Sequence, residues 1–195
     1  FLDTLGYDDF LGEVISALRV VEGAVIVVSA PTGVEVGTER AWNMCDGSHL
    51  PRMFVVNKMD RENAEFAKNI ADIQATFGRQ CIPFQVTLGD AHDFNGVVSI
   101  LDPPDDIPAD VAEEVATARE RLIEAAAEND ENLGDRYLNG EGISPEEIIT
   151  AVRAAVLAGD LVPILATSSV QGPIGIAEFV DITRSFLPSP IDGQH

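Results

Sequence analysis

Positive charge and long apolar runs are both scarce in this sequence. Its 195 residues include 12 Lys and Arg against 33 Asp and Glu, which gives a formal net charge of −21. With so few basic side chains we expect no sequence-specific contact with a nucleic acid, and an anionic membrane would repel the chain. The longest apolar run, residues 24–28, is far too short to span a bilayer.

Cysteine is almost absent, and the two that occur point to no special chemistry. Neither Cys45 nor Cys81 has neighbours at metal-ligand spacing. No signal peptide is recognisable at the start, so we expect a reduced, cytoplasmic protein. Because Phe1 opens within an apolar stretch, we also expect the chain to be a piece of a longer one.

Two runs are apolar without polar alternation, which is typical of strands buried on both faces of a parallel sheet. They cover residues 24–29 and 53–57. Helical periodicity flanks them at residues 10–21, 36–46 and 61–77. Helices that alternate with buried strands predict an α/β fold with a doubly wound, mostly parallel sheet.

The pattern changes in the middle of the chain. Residues 82–88 and 96–101 alternate apolar and polar positions, which predicts two antiparallel strands with one solvated face. An amphipathic helix is predicted over 110–128. Ser144-Pro145-Glu146-Glu147 has the N-cap, proline and capping-box glutamate of another helix, which should end near Gly159.

The buried-strand pattern then returns, with a strand predicted over 161–166 and a helix over 174–187. We therefore predict one α/β core made of residues 1–78 and 160–190. Residues 79–159 are predicted to form an α+β subdomain inserted into that core.

Asn57-Lys58-Met59-Asp60 follows a predicted buried strand, at the edge where open α/β sheets bind ligands. The Asp60 carboxylate can accept hydrogen bonds from N1–H and the N2 amino group of guanine, whereas adenine presents a bare acceptor at N1. Asn57 can bridge the base and neighbouring loops, and the stem of Lys58 can cover the ring. The four residues also fit an ordinary strand-to-helix turn with Asp60 as its N-cap.

Two further polar runs follow apolar stretches. In Asp3-Thr4-Leu5-Gly6, the Asp3 carboxylate can approach Mg²⁺ through water and the Gly6 N–H can face a terminal phosphate. The alternative for this run is a tight turn. In Ala166-Thr167-Ser168-Ser169, backbone N–H groups can reach guanine O6, or the run is a polar loop that caps the next helix.

Together these three runs resemble the GTP-binding domain of elongation factor G, a translational GTPase. The matching stretches cover nearly the whole chain and include residues 3–14, 33–40, 50–52, 57–61, 77–79, 137–141 and 186–190. The resemblance implies a P-loop-NTPase-type fold, GTP or GDP with Mg²⁺ as ligand, and a role on the ribosome. Residues 79–159 are similar to that family's extra subdomain, for which docking of a ribosomal stalk protein is implied.

The resemblance also implies roles for individual residues. Asp3 would reach Mg²⁺ through water and, with Gly6, sense the γ-phosphate. Tyr7 stands where the family has the His that positions the attacking water. The other nucleotide-binding residues that the resemblance implies are Asn57, Lys58, Asp60, Ser168 and Ser169.

Three departures from the family pattern leave alternatives open. Leu5 replaces a usual Pro, Tyr7 the usual His, and Ser169 the usual Ala after a Ser. Tyr7 and residues 37–42 are more similar to the elongation-factor-G-like paralogues, which implies a slower GTPase or a specialised ribosomal role. The alternatives are a catalytically weak or inactive docking module and a sibling GTPase, such as a release factor or a ribosomal-protection protein.

A phosphate loop is missing as well. G-x-x-x-x-G-K-[S/T] occurs nowhere, and the sequence has no Gly-Lys pair. We expect the loop and the N-terminal strands upstream of Phe1, so that the chain alone binds GTP poorly, holds no nucleotide and is inactive. The strand at 24–29 would then have an open edge, which favours self-association. The insert also looks shortened where Leu101 runs into Asp102.

Overall fold

Helices and strands alternate along the part of the chain that the structure, a computed structural model, describes: residues 1–6, 8–170 and 172–191. The elements are α1 (Leu11–Leu18), β1 (Ala24–Ser29), α2 (Val36–Gly47), β2 (Arg52–Asn57), α3 (Phe66–Phe77), β3 (Cys81–Pro83), β4 (Gln85–Leu88), β5 (Gly96–Ser99), α4 (Ala112–Ala127), α5 (Glu131–Leu138), α6 (Pro145–Ala158), β6 (Val162–Ala166) and α7 (Ile176–Phe186). Among these helices, none is long and apolar enough to cross a membrane.

Four strands form a parallel sheet in the order β1-β2-β6-β3. β6 follows the other described strands in sequence, yet it lies between β2 and β3. Every residue of β6 is buried, as are the first five of β2, because helices cover both faces of the sheet. The prediction of an α/β fold with a mostly parallel sheet is confirmed.

The two faces of the sheet have separate apolar cores because successive residues of a strand point to opposite sides. Phe54 belongs to the first core, where its ring stacks near Trp42 and Phe77. Met53 and Val55 belong to the second, which also contains side chains from α4, α6 and the β4–β5 hairpin. The middle of the chain therefore packs directly onto the sheet and shares its core.

The antiparallel pair predicted from residues 82–88 and 96–101 is confirmed as β4 and β5. A single strand over 82–88 is wrong, since the chain changes sheets within it. β3 pairs in parallel with β6 and ends at Pro83, opposite Ile164. After Phe84 the chain enters β4, which pairs antiparallel with β5. The fourth strand of the main sheet thus comes from residues after position 79, whereas the proposed division into core and insert remains a prediction.

Some helix boundaries also differ from the prediction. α3 begins at Phe66 rather than 61, because Asn63 takes a left-handed conformation with φ of 63° that a helix cannot contain. α1 is shorter than residues 10–21 and has no fully buried residue. α5 was not predicted, and a Cβ on its Gly134 would lie 2.9 Å from the Ala127 carbonyl oxygen, so α4 and α5 meet closely there.

The helix start at Ser144 is confirmed. Its hydroxyl accepts a hydrogen bond from the Glu147 N–H, and the Glu147 carboxylate accepts one from the Ser144 N–H, which completes the capping box. α6 ends at Ala158, and Gly159 caps it in a left-handed conformation with φ of 82°.

Candidate functional site

The carboxyl ends of β1, β2 and β6 meet at one edge of the sheet. Backbone hydrogen bonds tie the loops that leave them, since the Ala30 N–H donates to the Asn57 carbonyl over 2.9 Å. Thr167 makes two more: its N–H donates to the Val56 carbonyl over 2.9 Å, and its carbonyl accepts from the Met59 N–H over 3.2 Å. The loops at 57–60 and 167–169 are therefore held side by side.

Side chains join the same two loops. The Ser168 hydroxyl donates to Asp60 Oδ1 over 2.6 Å, across 108 residues of sequence. The Thr167 hydroxyl donates to Asn57 Oδ1 over 3.3 Å, and this oxygen also accepts from the Lys58 N–H over 2.7 Å. Asn57, Asp60 and Ser168 were predicted as nucleotide-binding residues from two separate runs that follow strands. The structure brings these side chains together.

Asp60 is a buried carboxylate with only part of its hydrogen-bonding capacity in use. The residue is 2% exposed, and Ser168 is fully buried beside it. The Oδ2 atom has Arg61 Nε at 4.0 Å, which is an ion pair rather than a hydrogen bond. An ionised carboxylate has about four lone-pair sites, so Asp60 retains acceptors for two N–H groups such as those of guanine. Asp60 therefore has the spare acceptor capacity that the prediction of a guanine contact requires.

Lys58 has strained backbone geometry. Its φ is 65°, in the left-handed region that residues other than glycine, Asn and Asp seldom adopt, and its side chain is exposed. Such strain is concentrated at functional sites, where the surrounding contacts hold it in place. Here the contact is the hydrogen bond from its own N–H to Asn57 Oδ1.

The loop after β6 is clamped at its base. The Ser168 N–H donates to the Ile174 carbonyl over 3.0 Å, which ties Ser168 to the residues before α7. Gly175 has φ of 74°, and a Cβ there would lie 2.3 Å from the Ala166 carbonyl oxygen, so only glycine fits. The N–H groups of Thr167 and Ser168 are both used within the protein. That a backbone N–H of this run reaches guanine O6 remains a prediction. Ser169, which is exposed, comes next in the loop.

Asp3 and Gly6 lie elsewhere along the sheet. They line a cleft of ≈ 1320 Å³ that runs beside β1, with Val27 on its wall. Asn57, Asp60 and Ser168 are not part of that lining, so the described residues do not place the two halves of the predicted site in one pocket. Tyr7 lies outside the described residues.

The described part of the chain holds no group of three or more His, Cys, Asp and Glu side chains that could bind a metal ion. The predicted magnesium ligand, Asp3, is a single exposed carboxylate. Mg²⁺ is commonly held by one or two carboxylates together with waters and substrate phosphates, so Asp3 fits a water-mediated contact of that kind. Burial raises the pKa of the Cys81 thiol to about 12, which suits a packing residue and not a nucleophile.

Comparison with known proteins decides what kind of domain this is. A family model described as the elongation factor Tu GTP binding domain matches residues 1–189. The chain belongs to this family. Among solved structures it is similar to the crystal structure of ttk003000868 from Thermus thermophilus, with 31% sequence identity and a TM-score of 0.85. The match covers 95% of this chain and 29% of that one, so the chain spans less than a third of the matched protein's length.

Membership confirms the predicted resemblance to a translational GTPase and the P-loop-NTPase-type α/β fold of this GTP-binding domain. Sequence reasoning found the strand-end runs but missed the residues that support them. No role was predicted for Thr167, which lies in the polar run after β6. Its hydroxyl, next to Ser168 in sequence, could have indicated a second side-chain contact with the loop after β2. Gly175 carried no signal by itself, because its need for glycine depends on the distant Ala166 carbonyl.

Proposed function

We propose that this GTP-binding domain selects guanine through Asp60, with Asn57 and Lys58 beside it and Ser168 and Ser169 in the facing loop. The observation that carries the proposal is the 2.6 Å hydrogen bond from the Ser168 hydroxyl to Asp60 Oδ1. It fixes a buried carboxylate at the carboxyl edge of a parallel sheet, where α/β folds bind ligands. The bond leaves Asp60 as an acceptor, which matches N1–H and the N2 amino group of guanine and opposes the N1 acceptor of adenine.

The phosphates of the nucleotide are assigned to residues near the start of the chain. Asp3 would approach Mg²⁺ through water and the Gly6 N–H would face the γ-phosphate, while Tyr7 occupies the position of the water-orienting side chain. When bound, Mg²⁺ neutralises charge that develops on the phosphates. Asp3 and Gly6 border the open cleft beside β1, which supports their access to a ligand.

We assign the chain to a cytoplasmic GTPase that hydrolyses GTP during translation on the ribosome, either elongation factor G or an elongation-factor-G-like protein. The α4–α6 region would dock the ribosomal stalk protein. Supporting this, α4 buries Val115 and Leu122 on one side and presents exposed carboxylates on the other, namely Glu113, Glu114, Glu120 and Glu124. The alternatives are a catalytically weak docking module, which ribosome-stimulated GTP hydrolysis would contradict, and a sibling GTPase, which shares that activity.

A nuclear magnetic resonance titration of the 195-residue chain tests guanine selection directly. We expect millimolar GDP to shift the amide signals of residues 57–60 and 167–169, and ADP at the same concentration to leave them in place. Because the phosphate loop motif is absent from the sequence, binding is expected to be weak. Equal shifts with the two nucleotides, or none with GDP, would contradict guanine selection by these loops.

Self-association is proposed through β1, which ends the described sheet. The backbone of Ala24 and Ala30 bonds toward β2, so by alternation the N–H and carbonyl groups of Val25 and Val27 face the open side. Val27 is also 62% exposed. Free strand edges of this kind pair with other chains.

Sedimentation at low and high salt tests the self-association. The cleft beside β1 is lined by several carboxylates, so pairing of two copies should strengthen as salt screens their repulsion. Val27→Lys should abolish it, whereas Leu138→Lys, at a position 84% exposed on α5, should leave it unchanged. A monomer under all conditions would contradict pairing through this edge.

A further inference from the structure

We propose that Gln85 is a positioning residue, which sets the guanine-facing loop after β6 and links it to the β4–β5 hairpin. The inference rests on the proposed guanine site, but it concerns a side chain that lies outside that site. Gln85 is the first residue of β4 and is 1% exposed. Its Oε1 atom accepts a hydrogen bond from the Ala166 N–H over 3.0 Å, across 81 residues of sequence.

The bond between Gln85 and Ala166 exists because the chain leaves the main sheet at Phe84, one residue before Gln85. On this side of β6, the Val162 N–H donates to the Gln80 carbonyl and the Phe84 N–H donates to the Ile164 carbonyl. Continuing that ladder would give the Ala166 N–H the carbonyl of Phe84. The Phe84 carbonyl instead accepts from the Ile100 N–H over 3.0 Å, in the hairpin. Gln85 supplies the acceptor that the strand no longer provides.

The side chain also carries a cost that a space-filling residue would not. Gln85 Nε2 is buried and has no hydrogen-bond partner. An unpaired buried amide is unfavourable, so Leu or Met would be the better filler if packing were the only requirement. The acceptor function of Oε1 is the feature that distinguishes Gln from them.

The held peptide is the foundation of the guanine-facing loop. The N–H of Ala166 is held by Gln85, and its carbonyl oxygen lies so close to Gly175 that a Cβ there would be 2.3 Å away. Thr167 and Ser168 follow immediately and contact Asn57 and Asp60.

The other end of the link is the core beneath the hairpin. Val86, the next residue of β4, is buried in the same core as Val115 and Leu122 of α4. A shift of the hairpin or of α4 therefore moves the acceptor on which Ala166 depends. Gln85 thus connects the guanine-facing loop with the region proposed to dock a partner.

Gln85→Met in the 195-residue chain tests this, because it keeps the side-chain volume and removes the acceptor. Gln74→Met is the matched control: Gln74 Nε2 donates to the Cys81 carbonyl over 2.8 Å, a similar side-chain bond at β3. The first readout is amide hydrogen exchange at Ala166, Thr167 and Ser168, measured relative to β2. The second is the ratio of dissociation constants for IDP and GDP, since inosine lacks the N2 amino group.

Gln85→Met is expected to speed exchange at Ala166 and the two following amides roughly five- to tenfold relative to β2, the size of one net hydrogen bond. The IDP-to-GDP ratio should fall by a similar factor, and Gln74→Met should change neither quantity. Gln85→Asn, whose shorter side chain cannot reach Ala166, should reproduce the result.

Unchanged exchange at Ala166 in either Gln85 variant, or an equal change in the Gln74 control, would overturn the proposal. Faster exchange with an unaltered nucleotide ratio would also overturn it, because the bond would then be only structural. If the unsubstituted chain shows no GDP response, the proposed guanine site fails, while exchange at Ala166 still decides whether Gln85 holds the loop.

Discussion

Replacing Asp60 by asparagine should change the base preference of this domain from guanine to xanthine. The carboxylate accepts hydrogen bonds only, whereas the Asn amide nitrogen donates them. Xanthine has a carbonyl oxygen where guanine has the N2 amino group, so the new donor meets an acceptor. Asn retains an oxygen for the Ser168 hydroxyl, which now donates to Asp60 over 2.6 Å.

The size of the effect follows from the burial of the pair. Asp60 is 2% exposed, so its hydrogen bonds to a base form away from water and involve a full charge. Losing one should cost about 2–3 kcal/mol. This corresponds to a roughly 30- to 150-fold weaker affinity for GDP, at 1.4 kcal/mol per factor of ten. Folding stability should change by less than about 1 kcal/mol because the Ser168 contact survives.

The assay is a titration with GDP and xanthosine diphosphate, followed through the amide signals of residues 57–60. Asp160→Asn is the control, since it makes the same chemical change at an exposed position near the amino end of β6. We expect the preference to reverse only in Asp60→Asn. An unchanged GDP affinity in that variant, with the fold intact, would refute the assignment of Asp60 to the base.

Three further outcomes are expected. Tyr7→His should raise the rate of GTP turnover, measured on ribosomes in the longest form of the protein that hydrolyses GTP. Positioned acid–base groups contribute ~10²–10⁴-fold to the rate of a catalysed step. No increase in turnover would place Tyr7 outside the catalytic shell. The Arg136 guanidinium and the Ser144 N–H lower the pKa of Glu147 to about 2 from an ordinary 4.5, so its stabilising effect is present above pH 4.5 and is lost as pH falls toward 2. Urea unfolding of Glu147→Gln should therefore differ from the unsubstituted chain at neutral pH and converge with it in acid. Gly175→Ala should lower the free energy of unfolding by about 2–4 kcal/mol, through backbone strain and a clash with the Ala166 carbonyl. The control Gly140→Ala should lower it by about 1 kcal/mol, because φ there is 70° but no atom lies within 4 Å of the added Cβ. Equal losses of unfolding free energy in the two glycine variants would show that the Ala166 contact yields at little cost.

Much of the fold and half of the candidate site could be predicted because the signals are local. The apolar runs that became β1, β2 and β6 have no polar alternation, which indicates strands buried on both faces. The carboxyl ends of parallel strands lie on one side of the sheet, and the adjacency of β2 and β6 then brings the two runs together. The Ser168–Asp60 contact is a direct result of that arrangement.

The remainder depends on contacts between distant residues, which local patterns do not encode. Residues 82–88 look like one strand, but the Phe84 carbonyl accepts from Ile100 in the hairpin rather than from Ala166 in the main sheet, and two strands form. The role of Gln85 follows from the same change of partner. α5 was missed because Gly134 lowers its intrinsic helix propensity, while its close packing on Ala127 is visible only in three dimensions.

The central place of β6 has a consequence for how the protein is made. β6 is synthesised after β1, β2 and β3, yet it separates β2 from β3, so these earlier strands cannot close the sheet without it. At 5–20 residues per second, synthesis reaches Ser168 about 5 to 20 s after Asp60, which precedes it by 108 residues. During that interval the edge of β2 that later pairs with β6 has no strand partner, so we expect this part of the nascent chain to be prone to pairing with other chains.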